Sequence, residues 1–331
     1  MKPNPRCDDQ VATDASDEKE PALPVPEDGL DTGMFVYDAL KPGEIAHDQI
    51  RAEVLCPTDA WVEGYVLRNR DGRPLLVRQR GGRVHGSLLI FKSPRAAYEK
   101  VGDYEPANHY TWARDGIEVQ TATGVVAANA LLAVNEQNGS ELEESDRWSS
   151  GMDPVFVHGV PAAARIARPY LAEREGPWEA LFHIQAAHLL IWSAVERFAA
   201  LMFGRQHTTT SRPLRLGKVD DWQELVQQAQ IETEGRRVYD SRRPRNPINL
   251  GSGQRAWDYW YQVRCNLAHR GKGGGRDMKI VRDAFVDVHD MLRLLLVRYA
   301  PGIEEQWKLA DPDGADRRPQ WRIWPTLRGN Q

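Results

Sequence analysis

The hydrophobic pattern of this chain changes its period near the middle. Residues 34–134 carry short runs rich in β-branched and aromatic residues, separated by Gly, Asp and Pro. Beyond residue 161 the apolar residues recur at intervals of three and four. Period 2 is typical of strands and period 3.6 of helices, so one uniform fold cannot satisfy both halves. A chain of 331 residues is also long for one hydrophobic core. The sequence therefore predicts an α+β protein of two unlike domains.

The first half predicts a small mixed β-barrel domain over residues 33–150. Strands are expected in MFVYDAL from residue 34, in WVEGYVLRNRDGRPLLV from residue 61, and at 84–91, 116–121 and 124–134. Asp71-Gly72 has the composition of a hairpin turn, and residues 94–101 that of a short helix. Residues 1–32 hold five prolines and an acidic excess, which predicts a disordered tail.

The second half predicts an all-α bundle over residues 165–302. Helices are expected at 178–203, 220–232, 254–269 and 277–299, with Asp220 as the N-cap of the second. Residues 135–161 are polar, acidic or contain Gly and Pro without a sustained period, which predicts a linker or an edge excursion between the two domains. Residues 303–331 form a C-terminal extension whose role the sequence does not indicate.

Charge and composition restrict the classes of function. A net charge of −4 argues against a uniformly basic nucleic-acid-binding protein, so any RNA contact must come from a local patch. The longest apolar stretch contains His183, Glu196 and Arg197, which predicts a buried helix and no membrane span. The N-terminus has no apolar signal core, so a cytoplasmic location is expected. Three scattered cysteines predict no metal site, and no motif indicates a cofactor.

The segment from Asp258 to Lys272 places Arg264, Asn266 and His269 near a predicted helix end. A helix C-terminus favours the protonated imidazole, which can donate a proton to a leaving alkoxide. A guanidinium can bind phosphate oxygens with two parallel hydrogen bonds. These groups together have the parts needed to cleave a phosphodiester without a metal. A solvent-exposed Arg and a satisfied core His remain the alternative interpretation.

The spacing of Arg264 and His269 argues for a dimer. Five residues along a helix correspond to a rotation of about 140°, so the two side chains do not share a face. Asn266 and His269, three residues apart, do. A second copy of the helix, related by a two-fold axis, could supply the missing partner, and a homodimer is therefore expected.

WYQVRCNLAHRGK resembles the Arg-X4-His signature of the HEPN superfamily, and WSAVERF resembles the preceding helix, whose acidic residue is Glu196 here. The resemblance implies a metal-independent endoribonuclease whose site forms between two protomers. Arg264 and His269 would promote attack by an RNA 2′-hydroxyl on the adjacent phosphate. The polar residue that commonly follows the Arg in that family is Cys265 here, with Asn266 next. Fusions of this kind imply a toxin or an antiviral defence role, with an antitoxin as a further partner.

A basic segment interleaved with aromatic residues surrounds this motif. It could follow an RNA backbone, with Arg242, Arg243 and Lys272 as substrate contacts, or it could be a solvated charge run beside core aromatics. The residues of this segment are Arg236, Arg237, Arg242, Arg243, Arg245 and Arg255, with Tyr239, Trp257, Tyr259 and Trp260.

The order of MFVYDALKPGEIAH, VHGSLLIF and VGDYEPANHYTWARDGIEV resembles the gamma-glutamylcyclotransferase-like fold. The resemblance implies that Glu105 moves a proton while a gamma-glutamyl group closes to 5-oxoproline. It also implies that the loop of Tyr37, Asp38, Ala39 and Leu40 binds the substrate. The family has Gly after the Tyr, whereas Asp38 stands here, and its carboxylate is expected to repel an anionic ligand.

The leading hypothesis from the sequence is a homodimeric HEPN-type endoribonuclease with a cyclotransferase-like domain that senses a small-molecule ligand or regulates the enzyme. The alternative is a gamma-glutamyl amine cyclotransferase whose helical domain only dimerises. A binding scaffold with neither activity is the third hypothesis.

Overall fold

The computed structural model describes residues 21–26, 33–70, 72–113, 115–134, 146–171, 178–208, 211–240, 243–270 and 275–310, with the backbone alone at 243–246, 269–270 and 275–276. The strands are β1 Met34–Val36, β2 Val54–Arg70, β3 Arg73–Phe91, β4 Tyr110–Trp112, β5 Ile117–Thr121, β6 Gly124–Ala133, β7 Arg237–Asp240 and β8 Arg243–Asn249. The helices are α1 Pro94–Tyr104, α2 Val160–Ala167, α3 Trp178–Phe203, α4 Arg212–Arg215, α5 Trp222–Gln228, α6 Gln254–Arg270, α7 Gly275–Tyr299 and α8 Ile303–Ala310.

The first six strands form the predicted small mixed barrel. Five of them close in the order β1-β3-β2-β5-β6, and β6 pairs again with β1. The β1–β6 pair is parallel and the other neighbours are antiparallel. β4 pairs with the C-terminal end of β6. The fold class predicted for the N-terminal half is confirmed.

The long strand β2 bends around the barrel at a bulge. On β2, Ala60 and Val62 are buried, and then Tyr65 and Leu67, so the inward parity changes by one residue. The change falls at Gly64, which has a φ of 80° and lies where the register with β3 shifts. A bulge of this kind bends a strand and keeps apolar residues on the inner face.

The predicted hairpin turn between β2 and β3 is also confirmed, since Arg70 pairs with Arg73 and Gly72 has a φ of 74°.

Part of the predicted disordered tail packs against the barrel. Leu23 is buried, and its amide donates to the carbonyl of Gly102 at 3.2 Å. The indole of Trp112 donates to the carbonyl of Pro24 at 2.6 Å. Disorder over the whole of 1–32 is therefore wrong for 21–26, because Leu23 has an apolar site to fill and its backbone has partners. Residues 1–20 and 27–32 lie outside the described residues.

The C-terminal half is helical, as predicted, but it is not all-α. Helix α3 packs against α2, α6 and α7, and the bounds expected for 178–203 are those observed. Strands β7 and β8 add an antiparallel hairpin beside α6. The expected N-cap is also wrong, because α5 begins at Trp222 with Asp221 at the cap position and no capping side-chain hydrogen bond.

The boundary region does not act as a solvated linker. Of the predicted linker 135–161, residues 146–161 are described, and Trp148 and Phe156 are buried there. The carboxylate of Glu44 accepts hydrogen bonds from the amide and hydroxyl of Ser150 at 2.8 and 2.7 Å. Buried apolar residues of both halves belong to one contiguous cluster. Two isolated cores were expected from chain length, but a shared core buries more apolar surface where the halves meet.

Helix α3 lies at this junction. By length and composition it could cross a membrane, yet 56% of its most apolar window is buried inside the protein. Ile184, Ile191 and Phe198, spaced by seven, all lie in the core. This burial fits the core helix that the sequence predicted. In the C-terminal extension, α8 docks through Trp307, whose indole donates to the carbonyl of Phe156 at 3.0 Å.

Candidate functional site

A buried ion pair lies at one end of the barrel. Arg73 begins β3 immediately after the hairpin turn, and Glu105 follows α1 in an extended conformation. The Nη1 atom of Arg73 is 3.1 Å from Oε2 of Glu105, and the two side chains are 11% and 2% exposed. The turn at Gly72 fixes where β3 begins, and the end of α1 at Tyr104 fixes where the extended segment of Glu105 begins. Glu105 was predicted from the sequence, whereas Arg73 was not.

The predicted substrate loop lies beside this pair. Tyr37 is buried, and its hydroxyl donates to the carbonyl of Leu131 at 2.9 Å and accepts from the amide of Leu76 at 3.2 Å. Burial raises the pKa of Tyr37 well above its usual value, and the charges of Asp38 and Glu105 raise it further. These interactions place the loop and the candidate catalytic carboxylate in one cluster.

Asp38 interacts with its own loop. Its Oδ1 atom accepts a hydrogen bond from the amide of Leu40 at 2.9 Å, and its side chain is buried. Ala39 and Leu40 are buried as well. The side chain therefore takes up one of the backbone donors that the resemblance assigns to the substrate. This geometry is typical of an Asx turn, in which a carboxylate replaces an external acceptor.

Burial and the neighbouring groups act on the Asp38 carboxyl in opposite directions. Burial raises the pKa of its carboxyl, while the Leu40 amide and the charges of Lys41 and Arg73 oppose that rise. The positive charges of Lys41 and Arg73 near this carboxylate partly offset its repulsion of an anionic ligand. Lys41 and Arg73 are residues that sequence reasoning missed. The position of Arg73 directly after the hairpin glycine was the available signal.

The second candidate site lies in the helical half. The Oε1 atom of Glu196 on α3 is 3.4 Å from Nη2 of Arg264 on α6. The same oxygen accepts from the indole of Trp192 at 2.9 Å. The side chains of Arg264 and Glu196 are 29% and 41% exposed. The structure thus brings together two of the four residues predicted for this site and leaves them accessible to solvent.

Asn266 makes contacts that stabilise the fold. Its amide nitrogen donates to the carbonyl of Tyr239 in β7 at 2.9 Å, and its oxygen accepts from Gln262 at 3.0 Å. It therefore connects α6 to the hairpin. His269 lies within α6, but its side chain is outside the described residues, as is that of Arg243 in β8. Arg242 and Lys272 fall outside the described residues entirely, so their predicted contacts with RNA stay predictions.

Much of the predicted basic and aromatic surface is interior. Arg236 is 2.6 Å from Oδ2 of Asp287, and the two side chains are 13% and 2% exposed. Trp257, Tyr259 and Trp260 are fully buried. These aromatic residues cannot stack on bases from the surface, so this part of the RNA-binding interpretation is wrong. They are buried because this face of α6 packs into the core.

The chemistry available at the two sites differs. The barrel site offers a carboxylate held by a guanidinium in a water-poor environment, which suits proton transfer to and from a bound amine. The helical site offers a partly solvated guanidinium that could bind a phosphate. Among the residues that the structure describes, no group of three or more His, Cys, Asp or Glu side chains is placed to hold a metal ion.

Residues 34–150 match the family described as gamma-glutamyl cyclotransferase, AIG2-like. A solution structure of an Arabidopsis thaliana protein is 17% identical, with 34% of this chain and 76% of that chain covered and a TM-score of 0.28. The crystal structure of an uncharacterized Pyrococcus horikoshii protein is 20% identical, with 34% and 86% covered and a TM-score of 0.26. No curated protein matches the chain.

Proposed function

We propose, from the match of residues 34–150 to the gamma-glutamyl cyclotransferase, AIG2-like family, that the barrel domain is a gamma-glutamyl amine cyclotransferase with Glu105 as its acid-base group. The observation that carries the proposal is the buried Arg73–Glu105 pair at the place where the family resemblance expects the catalytic carboxylate. The endoribonuclease favoured by the sequence is a second candidate.

The reaction needs one group that accepts and returns a proton. The α-amine of the substrate attacks the γ-carbonyl carbon, and a new N–C bond closes the five-membered ring. Glu105 takes a proton from that nitrogen and passes it to the leaving amine as the original C–N bond breaks. The products are 5-oxoproline and the free amine, and no water is consumed. The guanidinium of Arg73 stabilises the ionised carboxylate, which is the form that can accept the first proton.

Asp38 restricts how a substrate can bind in this site. The amide of Leu40 already donates to Asp38, so the substrate carboxylate must bind to other donors of the loop or displace that side chain. We infer that Asp38 lowers the affinity for gamma-glutamyl substrates without removing the reaction, because the acid-base group is intact. Replacing Asp38 with Gly should therefore lower KM more than it changes kcat.

The direct test is the release of 5-oxoproline from a gamma-glutamyl amine by the purified full chain. Glu105→Gln keeps the size of the side chain but cannot move a proton, and it should reduce kcat by about 10²-fold or more. Glu118→Gln is the matched control, because Glu118 lies on β5 of the same barrel with its side chain exposed. Equal rates for the two variants would contradict the assignment of Glu105.

The second candidate is supported by the contact between Glu196 and Arg264. The resemblance to HEPN ribonucleases expected an acidic residue of the earlier helix to face the Arg, and the two side chains are 3.4 Å apart. On this proposal Arg264 binds the scissile phosphate, His269 protonates the leaving oxygen, and a homodimer completes the site. RNA and an antitoxin would then be partners of a cytoplasmic toxin or defence effector.

Purified protein mixed with RNA and EDTA tests this second candidate. Cleavage should leave 2′,3′-cyclic phosphate ends, and growth inhibition after induction should disappear with His269→Ala. His158→Ala is a suitable control, because His158 is exposed and precedes α2, away from α6. Intact RNA at every protein concentration would rule out the ribonuclease and leave the cyclotransferase proposal unaffected.

A further inference from the structure

Helix α3 contacts the residue that precedes Arg73. The Nη2 atom of Arg197 on α3 donates to the carbonyl of Gly72 in the β2–β3 turn. Gly72 has a φ of 74°, and a Cβ atom at this position would collide with the guanidinium of Arg197. The glycine therefore serves both the turn and the approach of the arginine. Because Gly72 and Arg73 share a peptide unit, this contact fixes the backbone from which the Arg73 side chain starts.

The same helix contacts the residue that precedes Glu105. The hydroxyl of Tyr104 donates to the carbonyl of Leu201. Just beyond the end of α3, the amide of Arg205 donates to the carbonyl of Tyr104 at 3.0 Å. Gly204 allows this approach, since a Cβ there would collide with the ring and carbonyl of Tyr104. The residue before each member of the Arg73–Glu105 pair is thus held in place by α3 or by the turn that follows α3.

Arg197 is itself rigidly held. Its Nε atom is 2.7 Å from Oδ2 of Asp153, and the side chains are 13% and 1% exposed. The other carboxylate oxygen of Asp153 accepts from the amide of Val155 at 2.9 Å. A buried guanidinium with two fixed acceptors has little freedom to change its rotamer. Its contact with Gly72 therefore holds the β2–β3 turn of the barrel at a fixed position relative to α3.

We propose that Arg197 is a positioning residue for the Arg73–Glu105 pair, which makes the helical half a structural part of the candidate cyclotransferase site. The inference rests on the proposed function of the barrel. Proton transfer requires the carboxylate to lie within hydrogen-bond reach of the reacting nitrogen, so a small displacement of the pair lowers the rate. Substrate binding depends mainly on the loop at 37–40, whereas Arg197 acts on the hairpin turn through the carbonyl of Gly72.

The experiment compares Arg197→Gln with Arg298→Gln in the full chain. Arg298 is the control for losing an ion pair within the helical half, because it pairs with Asp221 at 2.5 Å in a more exposed position than Arg197. Amide hydrogen exchange should become at least about tenfold faster at the protected amides of residues 72–76 in Arg197→Gln only. With a gamma-glutamyl amine as substrate, kcat should fall about tenfold or more while KM changes less than about twofold.

Two results would overturn this proposal. Exchange at the hairpin turn that is no faster in Arg197→Gln than in Arg298→Gln would show that Arg197 does not hold Arg73. An equal acceleration at all protected amides would show a general loss of stability instead. If the wild-type protein releases no 5-oxoproline but the local acceleration is observed, Arg197 still positions the pair and the proposed reaction alone is wrong. Asp153→Asn, which weakens the anchor of Arg197, replaces Arg197→Gln should that variant not fold.

Discussion

The barrel and the helical half each contain an Arg–Glu pair, and the two pairs differ in burial. Arg73 and Glu105 are 3.1 Å apart with exposures of 11% and 2%, whereas Arg264 and Glu196 are 3.4 Å apart with exposures of 29% and 41%. Similar geometry thus occurs in two different dielectric environments. Water screens the helical pair and leaves it free to exchange partners, whereas the barrel pair is held in a fixed arrangement. The helical pair suits binding of a phosphate, and the barrel pair suits controlled proton transfer.

The largest expected effect comes from breaking the buried pair in the barrel. Arg73→Met removes the guanidinium and leaves the carboxylate of Glu105 in the interior. The free energy of unfolding should fall by about 3–5 kcal/mol, because an uncompensated buried charge is costly. Urea unfolding monitored by circular dichroism measures this loss.

The double variant Arg73→Met/Glu105→Met serves as the control, since it removes both charges and should recover most of the lost stability. Recovery with no 5-oxoproline release would separate the structural role of the pair from its chemical role. A loss below about 1 kcal/mol for Arg73→Met alone would mean that water reaches the pair and that the two regions do not differ as described.

A buried pair in the helical half tests whether burial or location sets these energies. Arg236 and Asp287 are 2.6 Å apart and 13% and 2% exposed, close to the values for the barrel pair. Asp287 also accepts from the indole of Trp260 at 3.3 Å. We expect Arg236→Met to cost about 3–5 kcal/mol in urea unfolding. Arg237 is the next residue and its side chain is exposed, so Arg237→Met should change the free energy of unfolding by less than about 0.5 kcal/mol.

Local patterns were sufficient to predict most elements of the fold. The Asp71-Gly72 turn, the short helix after Ser93 and the bounds of α3 follow from turn chemistry and apolar periodicity. The β7–β8 hairpin was missed because Pro244 and Pro247 argue against a strand. Burial of Trp148 was missed because it is a single apolar residue in a polar segment, and burial of Phe156 because the apolar run 155–157 is too short to show a period. Only the partner surface in three dimensions shows that such residues have a place in the core.

The residues of the candidate site were predictable only where a sequence motif contained them. Glu105 and the loop at 37–40 were found through the order of motifs along the chain. Arg73 was not found, because its partnership with Glu105 joins residues 32 positions apart in sequence. Arg236 was assigned to the surface because charged residues are rarely buried, and its ion pair with Asp287 is the exception that such a rule does not anticipate.

The helical half also buries an ionisable group that must be neutral. His188 on α3 is fully buried, and burial lowers its pKa to about 3. Within the described part of the chain, neither ring nitrogen has a hydrogen-bond partner. The unfolded chain therefore binds a proton between about pH 6.5 and pH 3 that the folded protein excludes, so stability falls as pH falls through this range.

The expected loss from this histidine is about 2 kcal/mol between pH 8 and pH 5. The free energy of unfolding in urea should be measured against pH for wild type and His188→Leu. The difference between the two curves isolates His188, because the other titrating groups contribute equally to both. Parallel curves would show that His188 is protonated in the folded protein and has a partner. In that case the helical core is more polar than the Trp192 ring stacked on His188 suggests.

The smallest expected effect is at the partly exposed pair of the helical half. Arg264→Met should lower the free energy of unfolding by less than about 1 kcal/mol, because solvent already screens its contact with Glu196. The same variant should abolish RNA cleavage if Arg264 binds the scissile phosphate. Unfolding in urea and RNA cleavage can be measured on one preparation, with Arg165→Met as the control, because Arg165 is exposed on α2 and lies outside the basic segment. A loss of several kcal/mol would make this pair as structural as Arg73–Glu105, and Arg264 would then have no free guanidinium to offer a phosphate.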